Sequence, residues 1–496
     1  MPAAKTYLAL DMGAESGRAI SGTFDGDRLH VELQHRFPNR PVRVASGLHW
    51  DVLALFAGIT DGLAAHVARY GSSLASIGVD TWGLDFALLA ADDSLIGQPY
   101  HYRDQRTDGM FDAAFARVNR EKIFDATGLQ FMEMNTLYQL LAMRLAHAPA
   151  LDAAATLLMI PDLFNFWLCG QKSSEWTIAS TSQMCDPRRR TWHHELLAAL
   201  DIPTHILPPI MEPGMALGPL WPRVANEAGI LTTNVQVVVP ACHDTGAAVA
   251  AVPATSSRFG YISSGTWSLV GTEVPQPVLD RAVLEGNLTN EGGVNGTTRL
   301  LQNVTGMWLV QECRRIWQRR GQSWSYADLS AAAETSQPFG PLIEPNAVDF
   351  VAPADMPAAI EAFCRRTGQQ PPKDQGSVIR CCLESLALAY QRSFARIERV
   401  LGYELETIHI VGGGSQNALL CQLTADVCGK PVVAGPVEAT ALGNIIVQMQ
   451  SAGDLASLVE ARDLVRRSAE TQQYMPRPDA RWQEARARFA ALSVTK

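Results

Sequence analysis

Two strand–turn–strand segments, about 250 residues apart, constrain the fold of this 496-residue chain more than any other feature. The first runs from Tyr7 to Phe24, where an apolar run is followed by the turn 11-DMGAESGR-18 and a returning strand. The second is 260-GYISSGTWSLVGTE-273, with a Ser/Gly/Thr turn between two apolar runs. Apolar runs on either side of a glycine-containing turn predict a β-hairpin. Two such hairpins indicate a duplicated unit, with one copy opening each half of the chain.

The chain is too long for one hydrophobic core, so two large domains or three smaller ones are expected. A connection rich in Pro and Ser, AVPATSSR, precedes the second hairpin. The boundary is therefore predicted near residues 252–258, with domains at 1–252 and 253–496. Both halves alternate strand and helix patterns, which predicts α/β domains with mixed sheets. The clearest patterns are strands at 76–80, 235–239 and 407–411 and helices at 133–147, 193–200, 378–401 and 419–427.

The composition is that of an ordinary globular protein, with 47% apolar and 18% charged residues. A net charge of −9 provides no basic field for nucleic acid or an anionic membrane. The nine scattered cysteines include the vicinal Cys381 and Cys382 but show no CxxC spacing typical of metal sites. The N-terminus lacks a signal-peptide pattern, and the most apolar window, 153–169, is interrupted by Pro161 and Asp162. These features predict a cytoplasmic protein without nucleic-acid or membrane partners, and they indicate no particular oligomeric state.

The first hairpin turn combines an acid at a strand end, Asp11, with Gly13 and Gly17, which let backbone amides come close to a ligand. Successive amides in such a turn bind anions. An ordinary β-turn explains the same residues, because Asp and Gly are common in turns. The second turn, 263-SSGTWS-268, favours anion binding, since two such turns could hold a polyphosphate from both sides.

The segment 77-IGVDTWGLDFALL-89 places Asp80 and Asp85 around an aromatic residue and a glycine. Gly83 permits a ligand to approach the main chain, and Trp82 offers a flat apolar surface for the carbon-bound hydrogens of a sugar. A pair of strands with a core tryptophan explains the segment equally well.

The stretch 235-VQVVVPACHDTGAAVAAVPA-254 places His243 and Asp244 between a buried strand and a helix. An Asp before Thr245 and a run of alanines is typical of a helix N-cap. The start of a helix also stabilises a carboxylate in its ionised form. An ionised Asp244 that faces a cleft could accept the proton of an alcohol that attacks phosphorus. His243 is either a second polar contact or a histidine bonded to the backbone.

The segment 412-GGGSQN-417 follows a strand and precedes a helix. Three glycines allow a flat base or a ribose to lie on the backbone, and a helix N-terminus favours a phosphate. The chain has no GxGxxG, no Walker GxxxxGKS/T, no GxSxG and no HExxH motif. HYRD at 101–104 lacks the Gly-rich loop and the lysine strand of protein kinases and is attributed to chance.

Taken together and in this order, these motifs resemble those of the FGGY carbohydrate kinases, within the actin/Hsp70-like ATPase superfamily. The resemblance spans essentially the whole chain and rests on DMGAESGR, CHDTG, SSGTWS, VGGGSQN and 436-PVEATALGN-444. Four further segments look most like the family members that phosphorylate L-rhamnulose at O1 with MgATP, in L-rhamnose catabolism. They are 79-VDTWGLDF-86, 100-YHYRDQRT-107, 287-NLTNEGG-293 and 301-LQNVTGMWLVQ-311.

The resemblance implies two actin-like (ribonuclease H-like) domains with the active site in the cleft between them, the first binding the sugar and the second ATP. It matches Asp244 to the catalytic base and Asp11 to the acid that holds Mg2+. The sugar contacts match Gly83, His243, Thr245 and Asn303; the nucleotide contacts match Thr266, Gln311 and Gly413; and the phosphate loop matches Ala14, Glu15, Ser16, Gly17 and Arg18.

The phosphate turn departs from the family, which usually has Thr or Ser where this chain has Ala14 and Glu15. Phosphates repel a nearby carboxylate unless Arg18 or Mg2+ offsets the negative charge. The Glu15 side chain is therefore expected to point away from the phosphates.

Three other functions are open at this point. The chain could be another FGGY kinase, acting on L-fuculose, xylulose or glycerol. It could be a sugar-binding regulator on the same fold, although sensing needs no base and the presence of both Asp11 and Asp244 argues against it. An ATP-driven chaperone would require a peptide-binding domain that the chain has no length to encode.

Overall fold

The computed structural model describes residues 5–231 and 234–492. Their contacts define two units, each assembled from several segments of the chain. The first unit comprises Met1–Pro253, Glu273–Leu300 and Ala439–Ala469, and the second comprises Ala254–Thr272, Leu301–Glu438 and Glu470–Lys496. The division into domains 1–252 and 253–496 stays a prediction, since these units are defined by contacts and not by chain order.

Strands and helices alternate through most of the described chain. The strands are β1 Lys5–Met12, β2 Ser16–Phe24, β3 Leu29–Pro38, β4 Val42–Val44, β5 Gly47–His49, β6 Ser76–Thr81, β7 Phe86–Leu89, β8 Thr156–Met159, β9 Ser174–Glu175, β10 Cys185–Asp186, β11 Thr191–Trp192, β12 Ile210–Met211, β13 Ala216–Pro219, β14 Gln236–Val238, β15 Phe259–Ser264, β16 Trp267–Val274, β17 Thr289–Gly292, β18 Thr298–Thr305, β19 Thr407–Val411, β20 Val432–Ala434 and β21 Gln472–Tyr474. The α-helices are α1 Val52–Tyr70, α2 Met110–Phe115, α3 Arg120–Thr127, α4 Thr136–Leu145, α5 Pro149–Asp152, α6 Ile160–Cys169, α7 Trp176–Ala179, α8 His194–Ala199, α9 Pro222–Ala228, α10 Asp244–Ala250, α11 Arg281–Gly286, α12 Trp308–Arg319, α13 Tyr326–Thr335, α14 Met356–Arg366, α15 Gln375–Leu401, α16 Ala418–Cys428, α17 Ala439–Ser451, α18 Leu458–Ser468 and α19 Arg481–Leu492.

The first unit is built on a six-stranded sheet with the order β13-β14-β6-β1-β2-β3. β1 and β2 form the first predicted hairpin, and β6 and β14 extend the sheet in the parallel sense. Every residue of β1 after Lys5 is buried, as expected for a strand that is covered on both faces. α1 packs on β2 and β3, and α17 packs on β1 and α10. Because β1, β6 and β14 are parallel, the residues that follow them meet at one edge of the sheet.

The second unit contains strands in the order β18-β16-β15-β19-β20-β21. β15 and β16 form the second predicted hairpin, and β19 and β20 extend it in the parallel sense. The amphipathic helix predicted at 378–401 is α15, which begins after the N-cap Asp374 and ends at the left-handed Gly402. Its buried face, with Leu386, Tyr390 and Phe394, lies at the centre of the hydrophobic core of this unit.

α1 is the one described helix with the length and mean hydropathy of a membrane span. This is weak support for a membrane segment, because the core helix of a soluble protein has the same features. Its buried residues Leu55, Ile59 and Leu63 are four apart and so share one face. The apolar window 153–169 is divided between β8 and α6, with Pro161 in the first turn of α6.

Candidate active site

Three aspartates lie together where strands of the first sheet end. Asp11 on β1 is the register partner of Asp80 on the parallel strand β6. Thr81, the next residue of β6, forms a bridge with His243 on the far side, and Asp244 follows His243. The fold therefore brings the predicted magnesium acid and the predicted base to the same sheet edge, with Asp80 on the strand between them.

The three carboxyl groups differ in exposure, which separates their possible roles. The Asp244 side chain is 30% exposed, whereas that of Asp11 is 2% exposed and Asp80 is fully buried. Burial raises the pKa of Asp244, with a smaller contribution from Asp11 and with His243 acting in opposition. Burial and the charge of Asp11 raise the pKa of Asp80 well above its usual range. An accessible carboxylate with a raised pKa is suited to accept a proton near neutral pH.

The last two residues of the segment PVEATALGN, Gly443 and Asn444, contact the strand and the helix that carry these acids. Asn444 donates from Nδ2 to Asp80 Oδ2 (2.6 Å) and to the carbonyl oxygen of Gly78 (3.1 Å). A Cβ at Gly443 would collide with the carbonyl oxygen of Ala247 on α10. Gly443 therefore lets α17 pack directly on the helix that begins with Asp244, and Asn444 fixes the orientation of Asp80.

The predicted phosphate turn places Arg18 against Asp11. The two residues are cross-strand partners in the hairpin, and the Arg18 guanidinium donates to Asp11 Oδ2. Glu15 is exposed, and its orientation away from the phosphates stays a prediction. A Cβ at Gly17 would collide with the ring of Phe37, so packing on β3 is sufficient to require a glycine here, and a phosphate contact by Gly17 stays a prediction. Ala14 and Ser16 are partly exposed at the turn.

Asp244 is not the cap of α10. The N-cap residue is His243, and no side chain caps this helix. Asp244 Oδ1 instead accepts from the backbone N–H of Thr245 at 2.6 Å and from its hydroxyl at 3.3 Å. Capping therefore does not explain the acid, whose second oxygen stays available for other chemistry.

The backbone before Asp244 is held by a buried acid that the sequence interpretation missed. Glu175 Oε2 accepts from the backbone N–H of Cys242 (3.1 Å) and from the hydroxyl of Thr177 (2.6 Å). Thr177 Oγ1 in turn accepts from the backbone N–H of His243 (3.1 Å). Burial raises the pKa of Glu175 to about 7, against the hydrogen bonds that it accepts.

Gly83 lies beside His243. A Cβ at position 83 would be 3.2 Å from Thr181 Oγ1 and 3.4 Å from His243 Nε2. The next residue, Leu84, has φ of +78°, and its backbone N–H donates to Thr181 Oγ1 at 3.2 Å. A positive φ is strained for a branched residue and is often found at functional sites. Two predicted sugar contacts, Gly83 and His243, are thus neighbours.

Trp82 is buried in an aromatic group and not presented as an open surface. Its ring centroid is 4.1 Å from that of Trp50, and both indole N–H groups donate to Asp85 Oδ2, at 3.0 and 2.6 Å. Gln139 donates to the other oxygen of Asp85 at 3.0 Å. The core-tryptophan alternative describes this packing, and a sugar contact by Trp82 stays a prediction.

The predicted nucleotide residues lie in the second unit. Thr266 is at the tip of the second hairpin, where its carbonyl oxygen accepts from Gly306 and Trp308. Gln311 is on α12, and its Oε1 atom is buried without a hydrogen-bond partner. A Cβ at Gly413 would meet no protein atom within 4 Å. Asn303, a predicted sugar contact, is on β18 of this unit, whereas the other sugar residues are in the first; these assignments stay predictions.

Mg2+, which the family resemblance implies, is compatible with the acids of the first unit. Asp11 supplies a carboxylate, and Asp80 Oδ1 is buried without a hydrogen-bond partner. Among the residues that the structure describes, no group of three His, Cys, Asp or Glu side chains could hold a metal alone. Mg2+ is typically bound by one or two carboxylates together with substrate phosphates and waters, so the pair suits this ion.

Two further charged residues of the site lie in the segment 287–299, which belongs to the first unit. Glu291 is on β17 and the fully buried Arg299 is on β18; both contact His243. A charged residue within an otherwise apolar strand pattern such as 298-TRLL-301 is a signal that could have identified Arg299.

Two family models match the chain. Residues 6–251 match the N-terminal domain of the FGGY family of carbohydrate kinases, and residues 260–452 match its C-terminal domain. The chain is 43% identical over 485 residues to a rhamnulokinase of Bacteroides thetaiotaomicron, an alignment covering 98% of this chain and 99% of the relative. It is 40% identical over 493 residues to a rhamnulokinase of Pectobacterium carotovorum, covering 99% and 97%.

Solved structures share the fold at low sequence identity. A gluconate kinase from Lactobacillus acidophilus superposes with a TM-score of 0.80 at 17% identity, over 99% of this chain and 97% of that one. A glycerol kinase from Plasmodium falciparum, solved with ADP, has a TM-score of 0.78 at 12% identity, over 99% and 98%. Both domain models match and the relatives match along nearly the full length, so the chain belongs to the FGGY family of carbohydrate kinases.

Proposed function

We propose that this chain is an ATP-dependent kinase that phosphorylates O1 of L-rhamnulose to give L-rhamnulose 1-phosphate, in L-rhamnose catabolism. As a carbohydrate kinase, it takes ATP as the phosphoryl donor and a small sugar as the acceptor. The choice of L-rhamnulose rests on the rhamnulokinases to which the chain is 43% and 40% identical over nearly its full length.

The observation that carries the chemistry is the exposure of Asp244 beside two buried acids. Of the three clustered carboxylates, Asp244 is the one that a substrate hydroxyl can reach directly. The proton of the 1-hydroxyl group passes to Asp244 while O1 forms a bond to the γ-phosphorus. The bond from that phosphorus to the β–γ bridging oxygen breaks, and ADP leaves. A modest base is sufficient, because positioning and charge neutralisation supply most of the catalysis in phosphoryl transfer.

Residues around Asp244 have assigned parts in this proposal. Gly83, His243 and Thr245 would contact the sugar, and Arg18 with the turn amides would bind the phosphates. Asp11 would hold Mg2+, which when bound neutralises charge on the phosphate oxygens. In the second unit, Thr266, Gln311 and Gly413 would contact the nucleotide.

The proposed location is the cytoplasm. All nine cysteines are free, and eight of them are buried. Free thiols are usual in a reducing compartment, which is also where ATP-dependent sugar catabolism takes place.

A substrate panel tests the proposal. We expect kcat/KM with MgATP to be at least about 100-fold higher for L-rhamnulose than for L-fuculose, D-xylulose, glycerol or D-gluconate, since lost polar contacts discriminate strongly. A clear preference for another sugar would replace L-rhamnulose by that sugar and leave the kinase assignment intact. ADP release that does not depend on any sugar of the panel would favour the regulator alternative.

A further inference from the structure

His243 is contacted on one side by two buried charged residues of opposite sign. Arg299 Nη2 is 3.0 Å from His243 Nδ1, and Glu291 Oε2 is 3.4 Å from the same nitrogen. Arg299 Nη2 is also 3.2 Å from Glu291 Oε2. All three residues are buried, so water does not substitute for any of these partners without rearrangement.

The two neighbours would place the imidazole proton differently. A guanidinium can only donate, so beside Arg299 the Nδ1 atom must accept and the proton must be on Nε2. A carboxylate can only accept, so Glu291 by itself would favour the proton on Nδ1. The closer approach of Arg299 selects the first arrangement, and Glu291 balances the charge of Arg299.

The proton on Nε2 faces the reactive side of the residue. His243 Nε2 is 3.4 Å from Asp244 Oδ1 and lies beside Gly83, within 3.4 Å of where a Cβ would be. An N–H group at Nε2 can donate a hydrogen bond to the carboxylate of Asp244 or to an oxygen of a sugar. The other ring nitrogen is occupied by Arg299.

The main chain limits how far Arg299 can move. Its Nε atom donates to the carbonyl oxygen of Gly292 at 2.8 Å, which ties β18 to the end of β17. The guanidinium is therefore held at two points, one on the backbone and one on the imidazole.

We propose that Arg299 and Glu291 are positioning residues that fix His243 as the Nε2–H tautomer, so that it offers a hydrogen-bond donor to the sugar. The part of the proposal that concerns the sugar rests on the proposed function, whereas the tautomer does not. Loss of one donor hydrogen bond of about 1.4 kcal/mol corresponds to about a tenfold weaker interaction.

The decisive measurement is the tautomer of His243 in the protein without substrate. Long-range 1H–15N spectra of 15N-histidine-labelled protein report which ring nitrogen carries hydrogen, and His243→Asn assigns the signal. We expect hydrogen on Nε2 in the unaltered protein. Hydrogen on Nδ1 overturns the proposal, whether or not any variant folds and whatever sugar the enzyme prefers.

Variants then test what sets the tautomer. In Arg299→Met, Glu291 becomes the partner of Nδ1, so the hydrogen should move to Nδ1 and the KM for the preferred sugar should rise about tenfold, with the KM for ATP unchanged. In the double variant Arg299→Met with Glu291→Gln, the new amide can donate to Nδ1, so the Nε2–H form and most of the sugar affinity should return. Arg299→Lys keeps a donor and should keep the tautomer.

A matched control separates positioning from general destabilisation. Arg462 and Glu273 form another Arg–Glu pair of the first unit, which is half-buried and in which Arg462 also donates to the carbonyl oxygen of Val249. Arg462→Met likewise removes the guanidinium of an Arg–Glu pair and should lower stability, yet it should leave the tautomer unchanged and the sugar KM within about twofold. An unchanged tautomer in Arg299→Met, or a double variant that fails to restore it, contradicts the assigned role.

Discussion

The two units of this protein contain sheets of the same design with different chemistry at the strand ends. The order β13-β14-β6-β1-β2-β3 of the first corresponds to β21-β20-β19-β15-β16-β18 of the second. In each, an antiparallel hairpin is extended by two parallel strands and then one antiparallel strand. In the first sheet, β1 and β6 have acids, Asp11 and Asp80, one residue before their last residue. The corresponding strands of the second sheet have no acid in their last two residues; β15 ends in Ser263 and Ser264, and β19 ends in Ile410 and Val411, followed by the glycines of 412–414.

The difference teaches that one backbone design can carry, at its strand ends, side chains suited to different ligands. Carboxylates suit proton transfer and Mg2+, whereas glycines and hydroxyls let flat or phosphorylated groups approach the backbone. The buried acids add an electrostatic difference. Burial raises the pKa of Asp80, Asp85, Asp162, Glu175 and Asp244, which all lie in the first unit. Hydrogen bonds lower the pKa of more accessible carboxyl groups in both units, such as Asp25 and Asp463 in the first and Asp349 and Asp479 in the second.

The largest expected effect is on the acid of the first unit that is proposed as the base. Asp244→Asn should reduce kcat by about a thousandfold, because general base catalysis typically contributes 10²–10⁴. Sugar and ATP dissociation constants, measured by calorimetry, should change less than about threefold. Asp328→Asn removes an acid from the first turn of a helix in the second unit and should leave kcat within about twofold. If Asp244→Asn retained more than about a tenth of kcat, Asp244 would not be the base, and the proposed division of roles between the units would be wrong.

Stability should depend on pH in opposite ways at Asp85 of the first unit and at Asp349 of the second. Burial raises the pKa of Asp85 from 3.8 to about 6, so the folded state holds this proton more tightly than the unfolded state. The resulting stabilisation is complete below about pH 4 and is lost as pH rises through about 6, by about 3 kcal/mol. The unfolding free energy of Asp85→Asn relative to the unaltered protein should therefore increase by about that amount from pH 4 to pH 7.

Asp349 of the second unit is the matched control for this dependence. A hydrogen bond from Arg366 lowers the pKa of Asp349, so its stabilisation is present above the unfolded pKa and is lost as pH falls. Asp349→Asn should become less stable relative to the unaltered protein as pH rises from about 2.5 to about 5, and the difference should level off above that. Urea unfolding at about pH 2.5, 4, 5.5 and 7 measures both variants, and differences that do not vary with pH would contradict the electrostatic contrast.

Substitution of Asp11 tests whether the acids of the first unit bind Mg2+. Asp11→Asn should raise the Mg2+ concentration for half-maximal activity by about tenfold or more, because a neutral amide is a weaker Mg2+ ligand than a carboxylate. Calorimetry of ATP binding without Mg2+ should give a dissociation constant within about threefold of the unaltered value. If the Mg2+ concentration for half-maximal activity did not change, Asp11 would not be a Mg2+ ligand.

The smallest effect is expected at the glycines of the second unit. Gly413→Ala adds a methyl group that meets no protein atom within 4 Å, so the melting temperature should not change. If the nucleotide lies on this backbone, the KM for ATP should rise about three- to tenfold with the sugar KM constant. Gly414→Ala is the packing control, since its Cβ would collide with Ser264 and should cost about 1–3 kcal/mol of stability. If the KM for ATP were the same in Gly413→Ala and in the unaltered protein, residue 413 would not be a nucleotide contact.

Local pattern was sufficient for much of the fold and part of the site. The two hairpins, the strand at 76–80 and the helix at 378–401 are present as predicted, because apolar periodicity and turn residues act over short distances. Glycine was harder to interpret, since a Cβ at Gly17 or at Gly443 would collide with Phe37 or with Ala247, which are packing reasons that the local sequence does not show. Glu175, Arg299 and Asn444 were missed as supports because each acts on a residue more than 50 positions away along the chain.

The sequence by itself determined the family, the hairpins with their turns, and the identity of Asp11 and Asp244 as the acids of interest. Only the tertiary structure decided that Asp80 lies between them, that Asp244 is the accessible one, and that His243 is held by Arg299 and Glu291. The physical reason is range: turn and helix preferences are set by neighbours in the chain, whereas exposure, pKa and tautomer are set by side chains that meet only when distant strands pair.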